Sequence, residues 1–196
     1  PPAAPVARGR LARAGRRRGS DRVFIGLGAN LGDPRRAIDD ALDALAARPD
    51  VRLTDVSSLY RSAPVDADGP DFINAVARVD TTLTPDALLQ VLHEIEHAFG
   101  RQRSYRNAPR LLDLDLLLYD DRVIDTPGLC LPHPRMHARA FVLAPLSEIA
   151  PDCHVPGHGT VDALLAACAD QPVTRLDGTR VAGARRIGAS TPHGST

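Results

Sequence analysis

TPDALLQVLHEIEHAFG, residues 84–100, runs directly into RQRSYRNAPRLLDLDLL, residues 101–117, and the two read as helix, loop and strand. Thr84-Pro85 gives an N-cap followed by proline at the first helical position. Leu88, Leu92, Ile95 and Phe99 then recur at helical spacing until Gly100 stops the helix. Four arginines (Arg101, Arg103, Arg106, Arg110) stand in the loop, and the strand beyond is apolar except for Asp113 and Asp115. Strand side chains alternate between faces, so the two aspartates share a face roughly 6.5–7 Å apart. Two carboxylates on a leucine-rich strand have no packing reason to be there. They repel unless something positive lies between them, and hard oxygen ligands suit Mg2+. Guanidinium groups feeding into a carboxylate pair suggest a phosphate-transfer centre, with arginines on the phosphates and aspartates on the bridging metal.

Paired aspartates also occur as ordinary surface charge on edge strands. What distinguishes these is their company: Arg106, Ala108, Pro109, Arg110, Asp113, Leu114, Asp115, Leu116 and Leu117 form a run of basic, small, proline, arginine and aspartate positions in a dozen residues.

Working outward, Val23 to Gly28 is a short β-rich run ended by glycines, and Asn30-Leu31-Gly32 a tight turn. Asp33-Pro34 repeats the N-cap and proline device, opening a helix with Ile38, Leu42 and Leu45 that stops near Pro49. Val51 to Tyr60 reads as one strand, and Ser62 to Pro70 as a loop. Phe72 to Thr82 is a second strand with Phe72, Asn74, Val76 and Arg78 on one side. After the aspartate strand, Asp120-Asp121 turns into Val123-Ile124. The loop LPHPRMH, a helical segment from Arg139 to Ile149 and a short helix from Val161 to Cys168 follow. The order predicts an α+β fold of the ferredoxin-like βαββαβ plan: an antiparallel sheet with helices on one face and C-terminal additions. Residues 1–21 read as a disordered basic extension, 22–172 as the domain, and 173–196 as a tail. A solvated extension is the preferred reading of the first stretch over a nucleic-acid arm or a transit peptide.

At 196 residues and 43% hydrophobic, the chain can bury one core. Basic and acidic residues number 24 each, and every basic residue is Arg. Seven of those arginines fall in the first 22 residues, so the remainder is net acidic and carries no footprint for nucleic acid. Without lysine there is no Walker A loop and no Schiff-base chemistry, so arginine must handle any phosphate. Three cysteines outside any CxxC arrangement point to a reducing, cytoplasmic setting. No apolar run approaches the roughly 18 residues a membrane helix needs, so no membrane partner is expected.

Two motifs invite other readings. Gly26-x-Gly28 resembles the start of a dinucleotide loop, but Leu31 stands where the third glycine belongs, and a tight strand-to-helix turn is the better account. His93-Glu94-Ile95-Glu96-His97 matches HExxH on a helix, yet no third ligand follows at the right spacing. The pairs His133/His137 and His154/His158 lie in proline-containing loops. A polar helix face is therefore preferred to zinc.

With these segments together, the chain resembles the 6-hydroxymethyl-7,8-dihydropterin pyrophosphokinase family from about Val23 to Ala169. The resemblance rests on GLGANLGD, SSLYRSAPV, DFINAVA, EIEHAFGR, APRLLDLDLLLYD and LPHPRMHARAFVLAPLSEIAP. It implies a ferredoxin-like fold that moves pyrophosphate from ATP to the pterin hydroxymethyl group and releases AMP. It further implies that Asp113 and Asp115 bind two Mg2+ ions, with Asp115, Arg101 and Arg110 catalytic. His93, Glu96, Arg103, Arg110, Leu116, His133 and Arg139 would contact ATP. Ser62, Ala63, Val65, Phe72, Asn74 and Phe141 would contact the pterin, the two phenylalanines sandwiching the flat ring. A cytoplasmic monomer is implied too. Asn107 stands where this family often carries a tryptophan, Pro134 where some members carry an aromatic after the histidine, and Ala63 where the pterin loop carries a proline. The competing readings are a zinc hydrolase built on His93 and His97, and a nucleotide-binding regulatory module without turnover.

Overall fold

Strand β1, Val23–Ala29, is the centre on which the rest is laid. The computed structural model describes residues 22–64, 69–99 and 111–176. Helix α1, Pro34–Ala46, starts where the Asp33 carboxylate accepts the Arg36 N–H at 3.1 Å, and it buries Ile38, Ala41, Leu42 and Leu45. Three strands follow: β2 (Val51–Val56), β3 (Tyr60–Ser62) and β4 (Phe72–Thr81). Helix α2, Pro85–Ala98, is capped by Thr84, whose hydroxyl accepts the Ala87 N–H. The aspartate strand is β5, Asp113–Tyr119. Beyond it, β6 (Ile124–Asp125) pairs with β7 (Cys130–Leu131), and a 3-10 turn at Met136–Ala138 leads into α3, Ala140–Ile149. The hairpin β8 (His154–Val155) and β9 (Gly159–Thr160), helix α4 (Val161–Ala167) and β10 (Val173–Arg175) complete the described chain.

Every pairing in the main sheet is antiparallel, in the order β10-β3-β4-β1-β5, with β2 sharing the edge of β4 that β3 also uses. Val23, Ile25, Leu27 and Ala29 of β1 and Ala75, Ala77 and Val79 of β4 pack beneath α1 and α2. Phe24 and Val76 point the other way, into a second core built by α3 and α4. The alternation expected for β4 is therefore observed, with Phe72, Asn74 and Val76 opposite the α1–α2 side.

The structure corrects the sequence reading in four places. Helices cover both faces of the sheet, not one. The reason lies in α3, which is apolar almost all round. Val142, Leu143 and Leu146 each gain roughly 1.5–3 kcal/mol on burial, against a whole-domain margin of about 5–15 kcal/mol. A helix of that composition has to lie on the sheet. Second, the strand expected from Val51 to Tyr60 breaks at residues 57–59, where the Ser57 N–H still donates to the Val76 carbonyl at 2.9 Å but a side chain takes over the return bond. Ser57 Oγ accepts the Val76 N–H at 3.0 Å and donates to the Ser58 carbonyl at 2.8 Å. Third, Val173–Arg175, assigned to the tail from the sequence, forms β10 and pairs with β3. Fourth, Gly26 and Gly28 lie within β1 and do not end it.

Strand β5 carries an irregularity with consequences for the site. Ile25 pairs with Leu116 and Phe24 with Leu118, so Leu117 is an extra residue, a β-bulge. Leu114 and Leu116 face the α1–α2 core, Leu117 and Leu118 both join the α3–α4 core, and Tyr119 returns to the first.

Candidate active site

The face of the sheet turned to α3 contains an open cavity, about 980 Å³ when the solvent space at its mouth is included. Its floor follows from register. Gly28 lies between Asn74 on β4 and Asp113 on β5, and Gly26 lies between Val76 and Asp115. Directly opposed residues in an antiparallel pair share a face, so both glycines present bare backbone to the cavity. Neighbouring strands are about 4.8 Å apart, which sets Asn74 roughly 9.5 Å from Asp113 across the floor. A glycine inside a strand often marks such a close approach.

One wall is polar and fixed. Asn74 is buried, and its amide nitrogen donates to Ser62 Oγ at 2.9 Å. That bond leaves the amide oxygen on the side of Gly28, where an added Cβ would come within 3.4 Å of it. Phe72 lines the same wall, and Phe141 and Val142 at the start of α3 line the opposite one. The rim holds Ser62, Ala63, Pro64, His133, Arg135 and Arg139. The Arg139 guanidinium lies over the Phe141 ring, 5.4 Å from its centroid, which holds a cation at the mouth.

His133 Nε2 is 3.9 Å from Asp115 Oδ1, and its backbone N–H donates to the carbonyl of the bulge residue Leu117 at 2.9 Å. Burial holds the imidazole below its ordinary range; Asp115 opposes this, while Arg139 and Arg135 add to it. Asp113 and Asp115 offer the hard oxygen donors that a divalent cation of the Mg2+ type prefers, on the face open to the cavity. The arrangement can bind a flat, polar-edged group against Asn74 and hold negative charge beside the rim arginines.

Residues 24–151 match the family described as 7,8-dihydro-6-hydroxymethylpterin-pyrophosphokinase (HPPK). The chain belongs to this family. It is 48% identical over 158 residues to the 2-amino-4-hydroxy-6-hydroxymethyldihydropteridine pyrophosphokinase of Pseudomonas aeruginosa, covering 80% of this chain and 98% of that protein. To the enzyme of the same name from Haemophilus influenzae it is 40% identical over 156 residues, covering 79% and 98%. Among solved structures it resembles an HPPK-DHPS crystal structure in complex with substrates, with a TM-score of 0.62 at 12% identity. It also resembles Plasmodium falciparum HPPK-DHPS with pteroate, with a TM-score of 0.61 at 15% identity. At those identities the likeness concerns the fold. This chain spans 44% and 42% of those two longer chains.

Of the residues expected for this HPPK-family site, Ser62, Ala63, Phe72, Asn74, Asp113, Asp115, His133, Arg139 and Phe141 line this one cavity together. Leu116 turns its side chain into the α1–α2 core, so only its backbone is available to a ligand. Glu96 is buried on α2, and its carboxylate accepts the Leu114 N–H at 3.0 Å. His93 is exposed on α2, away from the cavity. Arg101, Arg103, Arg110 and Val65 lie outside the described residues, as does Asn107. Among the described residues no group of three or more His, Cys, Asp or Glu side chains gathers to hold a metal. His93 and His97 thus have no third ligand there. The sequence reading missed Arg135 on the rim and the glycine floor. The signal was available in Gly26-x-Gly28, whose period of two is that of a strand face.

Proposed function

We propose that this chain transfers pyrophosphate from ATP to 6-hydroxymethyl-7,8-dihydropterin, releasing AMP, in folate biosynthesis. The observation that carries this reading is the row Asn74–Gly28–Asp113: a buried amide and a carboxylate on one bare floor, two strand spacings apart. That distance suits a bicyclic ring whose edge meets the amide and whose hydroxymethyl arm reaches the acidic end.

In this reading the Asn74 amide, oriented by Ser62, hydrogen-bonds the pterin edge, and Phe72 and Phe141 enclose the ring faces. Ala63 and Val65 add backbone contacts. Arg101 and Arg110 clamp the transferred phosphates, and Arg103, His133 and Arg139 hold the remaining nucleotide charge. The nucleotide contacts proposed for His93, Glu96 and the Leu116 backbone rest on the family resemblance. Mg2+, as two ions held by Asp113 and Asp115, would supply charge neutralisation to the triphosphate. The hydroxymethyl oxygen forms a bond to the β-phosphorus as the bond to the AMP oxygen breaks, and the hydroxyl proton passes either to Asp115 or to solvent. Such transfers depend on positioning and charge neutralisation more than on covalent chemistry.

We read the sheet as ferredoxin-like. With β2 and β3 taken as one interrupted strand, the order (β2/β3)-β4-β1-β5 with helices between β1 and β2 and between β4 and β5 is the split βαβ plan. A cytoplasmic monomer is part of the proposal; the free thiols of Cys130, Cys153 and Cys168 fit a reducing setting.

The deciding experiment supplies ATP, Mg2+ and 6-hydroxymethyl-7,8-dihydropterin and follows the nucleotide product. AMP with pyrophosphorylated pterin is expected. ADP would reject pyrophosphoryl transfer, and ATP binding without any product would favour a regulatory module.

A further inference from the structure

Outside the cavity, the most heavily bonded carboxylate among the described residues is Glu148, in the last turn of α3. It accepts the Ser58 N–H at 3.0 Å, the Ser58 hydroxyl at 2.9 Å, the Tyr60 hydroxyl at 3.0 Å and Arg175 Nη2 at 3.1 Å. Arg175 Nε and Nη2 also donate to Ser58 Oγ, at 3.1 and 2.8 Å, so the hydroxyl passes one proton to the carboxylate and receives two from the guanidinium. One side chain thereby ties α3 to the break between β2 and β3, to β3 itself and to β10.

The bonded residues lead back to the cavity. Tyr60 is the direct cross-strand partner of Asn74, and Ser62, two residues on and therefore on the same face, accepts the Asn74 amide N–H. Burial, then the hydrogen bond to Glu148, push the Tyr60 hydroxyl up to about 12, so it remains a donor at any working pH. On α3, Phe141 precedes Glu148 by seven residues, which is two turns, so both lie on one stripe of the helix about 10 Å apart. The helix that presents one cavity wall is thus held, on the same stripe, to the strand that abuts the other wall.

We propose that Glu148 is a positioning residue for the pterin pocket: by gripping Ser58, Tyr60 and Arg175 it sets the gap between Phe141 and the Phe72–Asn74 wall. The identity of the ligand rests on the function proposed above; the clamp rests on the bonds from Ser58, Tyr60 and Arg175 to the Glu148 carboxylate. A flat ring needs a gap close to its own thickness, so loosening the clamp weakens stacking while leaving the triphosphate groups at the far end of the floor undisturbed. The C-terminal strand becomes part of the working site through Arg175.

The test compares Glu148→Gln, Tyr60→Phe and Arg175→Gln with wild type, below each melting temperature. KM for the dihydropterin, KM for ATP and kcat are measured. Equilibrium binding of fluorescent 6-hydroxymethylpterin is measured beside a non-hydrolysable ATP analogue. Glu148→Gln is expected to weaken pterin KM and binding about tenfold and Tyr60→Phe about threefold, with ATP KM and kcat within about twofold. Equal losses for both substrates, a loss in kcat alone, or unchanged pterin binding in folded protein would overturn the positioning role. Should Glu148→Gln not fold, Tyr60→Phe decides by the same criteria, since it keeps the ring and removes one bond. A wild type that neither binds pterin nor releases AMP sinks the proposed function and this inference with it. A wild type that does both, matched by Glu148→Gln, sinks only the inference.

Discussion

The backbone N–H of Leu114 donates to the buried carboxylate of Glu96, 3.0 Å away, so α2 holds β5 at the residue between the two aspartates. With the acceptor shielded from water, its loss leaves the Leu114 N–H buried and unpaired. Glu96→Ala is expected to lower stability by about 1.5–3 kcal/mol, read as the midpoint of a urea titration. It should also lower kcat, because the aspartate pair loses its fixed register. Glu96→Gln keeps an acceptor and should lose less of both. An Ala variant as stable as wild type would contradict the assigned contact.

Removing either aspartate should have the opposite balance. Asp113→Ala and Asp115→Ala each delete one of two like charges from a strand that is otherwise well packed, so thermal stability should be unchanged or higher. AMP release should fall to background. EDTA should abolish activity in wild type and added Mg2+ should restore it. Loss of cooperative unfolding in Asp115→Ala would mean that the carboxylate is structural.

Gly28→Ala separates the floor from the fold. The new methyl would stand 3.4 Å from the Asn74 amide oxygen, an ordinary contact, and the strand geometry of β1 accommodates alanine. Melting temperature should stay close to that of wild type. The methyl occupies the space under the ring, however, so pterin KM should rise about tenfold or more. An unchanged KM would mean that the ring does not lie across Gly28.

Alkaline pH should release the Tyr60 contact. Its hydroxyl shifts from an ordinary 10.0 to about 12, so the folded state holds that proton more tightly than the unfolded chain does. Its contribution is complete below about pH 10 and fades as pH rises towards 12. Unfolding midpoints measured across that window should fall more steeply for wild type than for Tyr60→Phe. Parallel slopes would refute the shift.

Much of this is legible in the sequence. The alternation of Phe72, Asn74 and Val76, the Asp33-Pro34 and Thr84-Pro85 helix starts, and the shared face of Asp113 and Asp115 all follow from local periodicity. What escaped depends on partners distant in sequence. The break at 57–59 exists because Ser57 bonds Val76 and Ser58 bonds Glu148, 90 residues away. The three residues of β10 have no strand pattern of their own and are held by β3 and by the Leu176 N–H on the Leu59 carbonyl. Helix α3 lacks a clear apolar stripe, so its sequence could not say which face of the sheet it covers. Gly26 and Gly28 read as punctuation because a strand interior rarely carries two glycines; their spacing of two fits one strand face, and their neighbours Asn74 and Asp115 show what that face is for.

The extra residue at Leu117 has a consequence for how this strand can change. With strict alternation from Asp113, Tyr119 would join the α3–α4 core; the bulge sends it back beneath α2, where its hydroxyl donates to the Leu83 carbonyl at 2.5 Å. The acidic half of β5 and its anchoring half are therefore out of phase by one residue. Deleting Leu117 would straighten the strand and leave the carboxylates and the tyrosine on their present sides, whereas flattening the bulge with all seven residues kept would force one or the other across the sheet. Absorbing one extra residue as a bulge keeps the chemistry and the anchorage of the strand facing opposite ways.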